Sequence, residues 1–136
     1  MKKIVLDTNV CIDWLNRGLH ETVMLGPGFV RYLSAVVVME LRAGVSNRAS
    51  RDAVDALTRA YRTAGRLVAP SSEVFERTGA VLRKLKLAGR NVRDASLCND
   101  VIIALTARSI GATVVTANAA DFAAIQQVEP FAFELP

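Results

Sequence analysis

Hydrophobic and polar positions along the chain form short apolar runs that alternate with longer helical patterns. The apolar runs predict strands at residues 3–7, 29–33, 66–69 and 113–117, with an edge strand at 131–135. The segments between them predict helices at 9–16, 19–25, 34–43, 47–62, 70–88 and 97–110, most of them followed by a glycine. Strands that alternate with helices predict an α/β fold with a mainly parallel central sheet of four to five strands flanked by helices.

The clearest amphipathic helix is the one at 70–88. Its spacing predicts a buried face made of Phe75, Thr78, Leu82 and Leu85. Two basic residues lie on the other side of this helix and two lie in the segment after it. We call these four residues the basic stripe: Arg83, Lys86, Arg90 and Arg93. The stripe is either a surface that contacts phosphates or a solvated helix face.

With 136 residues, the chain is predicted to form one domain spanning 1–136, large enough to bury a core without disulfides. It has no apolar run of membrane length and no signal-peptide pattern, so we expect no membrane partner and a cytoplasmic location. Cys11 and Cys98 are then expected to be reduced thiols.

Four carboxylates lie in apolar surroundings, where a carboxylate without a partner is costly. Asp7 ends the first strand, and Asp121 follows the fourth. Glu40 interrupts the apolar helix after the second strand, and Asp100 is predicted in the first turn of its helix, where the helix dipole tolerates negative charge. Ligands of open α/β sheets bind beyond the carboxyl ends of the strands, so all four side chains can reach one edge of the sheet.

Each carboxylate also has a simpler interpretation when it is taken alone. Asp7 could cap a helix, and Glu40 could be a helical residue turned to solvent. Asp100 could complement a helix dipole, and Asp121 could belong to a loop or a short helix. The four placements together favour a shared site.

If the four carboxylates converge, their repulsion must be relieved by protons or by a cation. The chain has no local cluster of Cys and His, and an all-oxygen site favours Mg²⁺ or Mn²⁺. The chain has 17 basic and 13 acidic residues, and setting the quartet aside leaves nine acids on the remaining surface. A basic surface around an acidic pocket favours a polyanionic substrate, although the balance could also reflect composition alone.

Four short blocks then carry a resemblance to a known family. They are Asp7-Thr8-Asn9, Glu40-Leu41-Arg42-Ala43-Gly44, Asn99-Asp100-Val101-Ile102-Ile103-Ala104 and Thr116-Ala117-Asn118-Ala119-Ala120-Asp121-Phe122. In this order and spacing they resemble PIN-domain ribonucleases, specifically VapC-type toxins of type II toxin–antitoxin modules. The resemblance covers almost the whole chain.

The resemblance implies a three-layer PIN-like fold and a metal-dependent endoribonuclease. It implies that Asp7, Glu40, Asp100 and Asp121 hold Mg²⁺ or Mn²⁺, with Thr8, Asn9, Thr116 and Asn118 as supporting polar residues. Asn118 stands where the PIN pattern has an acid, so Asp121 would bind metal either directly or through water. The implied substrate is single-stranded or loop RNA, cut to leave a 5′-phosphate and a 3′-hydroxyl, with Arg42 and the basic stripe as candidate phosphate contacts.

Two kinds of partner are expected besides RNA. The 51% apolar composition with aliphatic helices predicts a homodimer, because a monomer of this size would leave apolar surface uncovered. The resemblance adds a cognate antitoxin, which would lay a segment in an apolar groove and place a basic side chain near the acidic pocket.

Other functions are compatible with part of the pattern. Haloacid dehalogenases also place an aspartate after the first strand, but they need a second acid at the position of Asn9. Response regulators need an aspartate after the third strand and a lysine after the last, which this chain lacks. A catalytically idle PIN-like module that binds RNA or protein is the alternative from a different class. Thermal stabilisation by Mn²⁺ would distinguish it, because an ion that binds only the folded state raises the melting temperature.

Overall fold

A computed structural model describes residues 1–136 as seven helices and five strands. The strands are β1 (Lys2–Leu6), β2 (Phe29–Ser34), β3 (Leu67–Val68), β4 (Thr113–Val115) and β5 (Phe133–Glu134). The helices are α1 (Thr8–Arg17), α2 (Glu21–Leu25), α3 (Ala35–Ala43), α4 (Arg48–Thr63), α5 (Ser72–Leu87), α6 (Ala95–Ser109) and α7 (Ala119–Val128).

All five strands form one sheet in the order β3-β2-β1-β4-β5, and every neighbouring pair is parallel. Strand β1 is central, with Ile4 opposite Arg31 on β2 and opposite Thr113 on β4. The predicted α/β fold class with a parallel sheet is therefore confirmed. The strand order reverses between β1 and β4, the place where open α/β sheets hold their ligands.

The core lies on β1, β4 and the helix that packs on both of them. Ile4, Val5 and Leu6 of β1 are completely buried, as are Val114 and Val115 of β4. Helix α6 is buried continuously from Asp100 to Ala107, and it contacts β1, β4, α5, α7 and α3. None of the helices combines the length and the apolar character needed to cross a membrane.

Helix α7 was not among the predicted helices. A cluster of aromatic rings joins this helix to the last strand. Phe122 of α7 is buried, and its ring centroid lies 6.1 Å from that of Phe131 and 6.2 Å from that of Phe133. The predicted edge strand is present as β5, paired with β4. Residue Asp121 therefore lies in the first turn of a helix that packs on α5 and α6.

The predicted buried face of α5 was partly wrong. Its buried residues are Val74, Thr78, Val81 and Leu85, whereas Phe75 is 54% exposed. The two faces share Thr78 and Leu85, so the real face is rotated by one residue. Phe75 therefore lies on the surface.

Two helix starts also differ from the prediction. Helix α1 begins at Thr8, one residue earlier than expected, and is capped by Asp7, whose side chain accepts a hydrogen bond from the backbone N–H of Thr8. Helix α6 begins at Ala95, capped by Asp94, so Asp100 lies in the second turn and not in the first. Since the favourable effect of the helix dipole is confined to the first turn, Asp100 gains little from it.

Candidate metal centre

The four predicted carboxylates are carried by four different elements at the carboxyl end of the sheet. Asp7 directly follows β1, and Asp121 belongs to the helix that follows β4. Glu40 and Asp100 are the sixth residues of α3 and α6. Asp7 and Thr116, which directly follow two neighbouring strands, are joined by a hydrogen bond where the strand order reverses.

Asp7 is 3% exposed, and both of its carboxylate oxygens accept hydrogen bonds. Oδ1 accepts from the backbone N–H of Thr8 at 2.8 Å. Oδ2 accepts from Oγ1 of Thr116 at 2.7 Å and from Nδ2 of Asn9 at 3.2 Å. Burial raises the pKa of Asp7, the bonds from Thr116 and Thr8 oppose that rise, and the charge of Glu40 adds to it. These bonds fix the direction of the carboxylate between β1 and β4.

Thr116 and Asn9 extend this network to the loop after β4. The Asn9 side chain donates to Thr116 Oγ1 at 3.3 Å and accepts from the backbone N–H of Ala117 at 3.1 Å. Thr116 Oγ1 also accepts from the backbone N–H of Asn118 at 2.9 Å. Of the four polar residues singled out as support, Thr8, Asn9 and Thr116 therefore contact Asp7 directly, and Asn118 contacts Thr116.

Glu40 is held from two sides by neutral donors. Thr8 Oγ1 donates to Oε1 at 2.7 Å, and Asn99 Nδ2 donates to Oε2 at 3.4 Å. These bonds connect α3 to α1 and to α6. Asn99 was quoted in the motif but was not identified as a supporting residue. Its position directly before Asp100, on the helix that carries this acid, is the signal that could have found it.

Asp121 is held by the residue that caps its own helix. Asn118 Nδ2 donates to Asp121 Oδ2 at 2.9 Å, and the backbone N–H of Asp121 donates back to Asn118 Oδ1 at 3.5 Å. This reciprocal pair is a capping arrangement at the start of α7. Asn118 therefore orients Asp121 and caps the helix at the same time.

Asp100 is the one carboxylate of the four that has a buried oxygen without a hydrogen-bond partner. It is 5% exposed, and the unpaired atom is Oδ2. Burial raises its pKa to about 8, and the charges of Asp7, Asp121, Glu40 and Asp94 add to that rise. The three other acids of the quartet therefore act electrostatically on Asp100.

The donor set of this cluster fits a hard divalent cation. All four acids offer oxygen, and an unpaired buried carboxylate oxygen surrounded by further negative charge is stabilised by a cation. As the side chains stand, however, no three His, Cys, Asp or Glu residues are arranged so that they could hold a metal ion. The hydrogen bonds to Thr8, Thr116, Asn99 and Asn118 hold the carboxylates in their present directions, so the side chains would have to turn inwards to enclose an ion.

The basic residues considered as phosphate contacts differ in whether their positive charge already has an acidic partner. Arg42 forms an ion pair with Asp55 of α4, so its guanidinium already has a partner. All four residues of the basic stripe are exposed, and none of them forms a salt bridge. Only the stripe therefore offers uncommitted positive charge among these candidates.

We expect Asn99→Leu to weaken Mn²⁺ binding by about tenfold, the size of effect that follows loss of a group orienting a metal ligand. The change removes the donor to Glu40 Oε2 and leaves the Thr8 bond in place. Asn99→Asp also removes the donor but adds a negative charge that attracts the ion, so it should lose less affinity than Asn99→Leu. The dissociation constant for Mn²⁺, titrated by electron paramagnetic resonance, measures both. Wild-type affinity in the two variants would contradict the assigned role of Asn99.

Comparison with known proteins identifies the family of this chain. The family profile described as PIN domain matches residues 4–127. The chain belongs to the PIN domain family. No curated protein sequence matches the chain significantly.

Several solved structures have the same PIN fold over nearly the whole chain. VapBC2 from Rickettsia felis, bound to a DNA fragment from its promoter, is 22% identical with a TM-score of 0.73, covering 98% of both chains. DNA-bound VapBC from Salmonella typhimurium is 24% identical with a TM-score of 0.73, covering 99% of this chain and 98% of the other. VapBC-5 from Mycobacterium tuberculosis, of the VapBC family of toxin-antitoxin systems, is 24% identical with a TM-score of 0.63, covering 99% and 98%. At these identities the likeness establishes the shared fold.

Proposed function

We propose that this PIN-domain chain is the toxin of a toxin–antitoxin pair and hydrolyses RNA phosphodiester bonds with Mg²⁺ or Mn²⁺. One observation carries the proposal: the buried, unpaired oxygen of Asp100 lies in the field of Asp7, Glu40 and Asp121. A fold that only needed stability would gain from a neutral side chain at this position. A bound cation would offset the free-energy cost of burying the Asp100 charge.

Asp7 and Asp100 would be the main residues holding the ion, with Glu40 and Asp121 completing or orienting the site. When bound, a divalent ion lowers the pKa of a water molecule and neutralises charge that develops on the phosphate. Thr8 and Thr116 hold the Asp7 carboxylate, and Thr8 and Asn99 hold that of Glu40, in the directions from which these side chains would turn to bind the ion. Water attacks the phosphorus, and the bond to the 3′ oxygen breaks, which leaves a 3′-hydroxyl and a 5′-phosphate.

The reaction does not require a nucleophilic side chain, and the nearby thiol is unsuited to act as one. Burial raises the pKa of Cys11 to about 12, with a further contribution from the charge of Asp7. The thiolate, which is the reactive form, is therefore scarce near neutral pH. Water remains the proposed nucleophile.

The proposal includes a cognate antitoxin and a homodimer as partners. The solved relatives named above are VapBC proteins, and one belongs to a family of toxin-antitoxin systems by its description. Size-exclusion chromatography with and without the co-expressed product of a neighbouring reading frame tests both associations. Elution of the isolated chain as a monomer would reject the dimer, and failure to co-elute would reject that partner.

The deciding experiment combines RNA cleavage with thermal melting. Purified protein should cut single-stranded RNA in the presence of Mn²⁺ and stop when a chelator is added. Asp7→Asn should lose cleavage by at least about a hundredfold, because it removes a ligand charge from the proposed metal centre. Mn²⁺ should raise the melting temperature of the wild type and have less effect on Asp7→Asn. Cleavage that survives in Asp7→Asn would reject the site.

A second candidate function is an idle PIN-like module that binds RNA or protein. It is favoured by the observation that no three potential ligands are arranged to hold a metal ion as they stand. An idle module would show neither cleavage nor a rise in melting temperature with Mn²⁺. It could still bind RNA, so binding alone does not distinguish the two functions.

The basic stripe gives a prediction that concerns RNA binding alone. Replacing both Arg90 and Arg93 by Ala should weaken binding and lower the slope of log K against log salt by roughly one, because up to two phosphate contacts are lost. The matched control replaces Arg59 and Arg62 of α4, which are also exposed. Filter binding of single-stranded RNA at several salt concentrations measures the slope. Equal slopes for wild type and the stripe variant would make the stripe a solvated helix face.

A further inference from the structure

A cavity of about 390 Å³ adjoins the carboxylate cluster and is not used by the proposed hydrolysis. It lies between α1, α3, the loop after α3 and the start of α4. Glu40 lines this cavity and also belongs to the carboxylate cluster. A ligand in the cavity would therefore lie next to whatever the cluster binds.

The walls of the cavity combine apolar side chains with neutral amides. Ile12 and Leu15 come from α1, and Val54 comes from α4. The amides are those of Asn16 and Asn47. The Asn16 side chain makes no hydrogen bond, and Asn47 uses Oδ1 to cap α4 while its Nδ2 makes none. Apolar walls with a few free polar groups are typical of sites for flat organic ligands, and the volume is in the usual range.

Gly44 in the cavity wall has no conformational reason to be a glycine. Its φ of −89° and ψ of −2° are helical values that any residue adopts. An added Cβ would meet only the backbone oxygens of Glu40 and Leu41, both at 3.7 Å, which is ordinary contact. The effect of the glycine is to leave the wall beside Glu40 free of a side chain. A larger residue would be tolerated by the backbone and would occupy that space.

The charges around the cavity favour an anionic ligand with a neutral inserted group. Glu40 is the only charged residue in the lining, and it lies on the side of the metal centre. Arg48 lies between the lining residues Asn47 and Ala49, is exposed, and has no carboxylate within 4 Å. A polynucleotide has this distribution of charge, because its bases are neutral and its backbone is anionic. An unstacked base also offers donors and acceptors that asparagine amides recognise.

We propose that this cavity receives one unstacked nucleobase of the RNA, next to the phosphate at the carboxylate cluster, and that Asn16 and Asn47 contact its edge. This inference rests on the proposed function and adds a sequence preference to it. Apolar side chains cover the faces of the base, and the two amides distinguish its hydrogen-bonding edge. The cavity thereby selects which bond is presented to the carboxylates.

The test is sequencing of cleavage ends from a randomised RNA pool treated with Mn²⁺ and protein. The wild type should show a base preference at one position beside the broken bond. Gly44→Leu and Ala53→Phe fill the cavity from two sides and should reduce that preference at least about fivefold, the effect of losing one base contact of 1 kcal/mol or more. Asn47→Ser keeps an oxygen that caps α4 and removes the amide, so it should change which base is preferred. Ala80→Phe, on an exposed position of α5, is the matched control and should retain the preference.

The same pool bound by metal-free protein gives a second readout that does not depend on cleavage. Bound RNA recovered in the presence of a chelator should show the preference in the wild type and not in Ala53→Phe. If neither the wild type nor any variant cuts RNA, but bound RNA still shows the base preference in the wild type and not in Ala53→Phe, the hydrolase proposal fails and the base site stands. If the preference is the same in wild type, Gly44→Leu and Ala53→Phe, the base site is wrong. Loss of a co-expressed partner in those variants, with the preference unchanged, would show that the cavity is a protein-binding surface instead.

Discussion

Asp100→Asn should make the metal-free protein more stable and at the same time abolish cleavage. The buried, unpaired oxygen of Asp100 makes the charged form costly, and its pKa of about 8 compares with 3.8 for a free aspartate. Each pKa unit corresponds to about 1.4 kcal/mol, and part of the cost is relieved by relaxation of the site, so we expect a gain of about 2–4 kcal/mol at pH 8. The loss of cleavage follows because the proposed metal centre loses a main ligand.

The sign of the pH dependence follows from the raised pKa. Below about pH 4, Asp100 is protonated in both the folded and the unfolded chain and imposes no charge penalty. Between about pH 4 and pH 8, the unfolded chain loses this proton and the folded chain retains it, so the free energy of unfolding falls as pH rises. The wild type without metal should therefore melt at a higher temperature at about pH 5.5 than at pH 8. Asp100→Asn should lose most of that difference, while Asp7, whose pKa is also raised, leaves a smaller part.

Melting curves in the presence of a chelator, at several pH values between about 5.5 and 8, measure this effect. The matched control is Asp52→Asn on α4, because the Asp52 side chain is 64% exposed and a surface change of this kind alters stability by about 0.5 kcal/mol at most. Adding Mn²⁺ should stabilise the wild type more than Asp100→Asn. If Asp100→Asn melted below the wild type at pH 8 without metal, the charge of Asp100 could not be the destabilising feature described above.

Glu129→Gln should destabilise the protein by about 2–3 kcal/mol at pH 7, less than a fully buried pair because the cations are partly exposed. Glu129 is 2% exposed and accepts from both Arg77 Nε and Nη2, at 2.7 and 2.6 Å. Lys84 and Arg108 donate to it at 3.2 and 3.0 Å. These bonds lower the pKa of Glu129 to about 2, with that from Arg77 as the largest cause. The glutamine would leave three cations facing one another without the carboxylate that joins α5, α6 and the end of α7.

The pH dependence at Glu129 has the opposite sign to that at Asp100. A lowered pKa stabilises the fold fully above about pH 4.5, and this contribution is lost as pH falls towards 2. Urea unfolding of wild type and Glu129→Gln should therefore differ most near pH 7 and much less at about pH 3. Glu134→Gln, which removes a carboxylate that is 38% exposed and paired with Lys2, is the control. Equal unfolding free energies for the Glu129 variant and wild type at pH 7 would reject the ion cluster as a stabilising element.

The sequence predicted the parallel sheet and most helices because strands and helices alternate with clear stop signals. It could not choose the buried face of α5, because the patterns through Val74 and through Phe75 share Thr78 and Leu85 and differ by a rotation of one residue. The choice depends on what α6 and α7 present to α5, and this information is tertiary. The ion cluster at Glu129 was missed for the same reason, since its partners are 21 to 52 residues away along the chain.

The site residues show the same division between local and tertiary information. The positions of the four acids relative to strand ends were visible in the sequence, and three supporting contacts of Asp7 involve residues that had been singled out. The position of Asp100 along α6 was predicted wrongly, because capping by Asp94 starts this helix two residues earlier than expected. Helix α7 was missed because its ten residues are largely apolar and lack a distinct polar face, so no helical periodicity marks them.

The bond between Thr116 and Asp7 joins positions that are 109 residues apart. During translation, the aspartate leaves the ribosome early, whereas the threonine and the helix with Asp121 follow much later. A nascent chain therefore carries an incomplete centre until the segment from Thr116 to Asp121 has emerged. The enzyme proposed here would become able to cut the cell's RNA only after that segment has folded onto β1, which leaves a newly made inhibitor time to meet it.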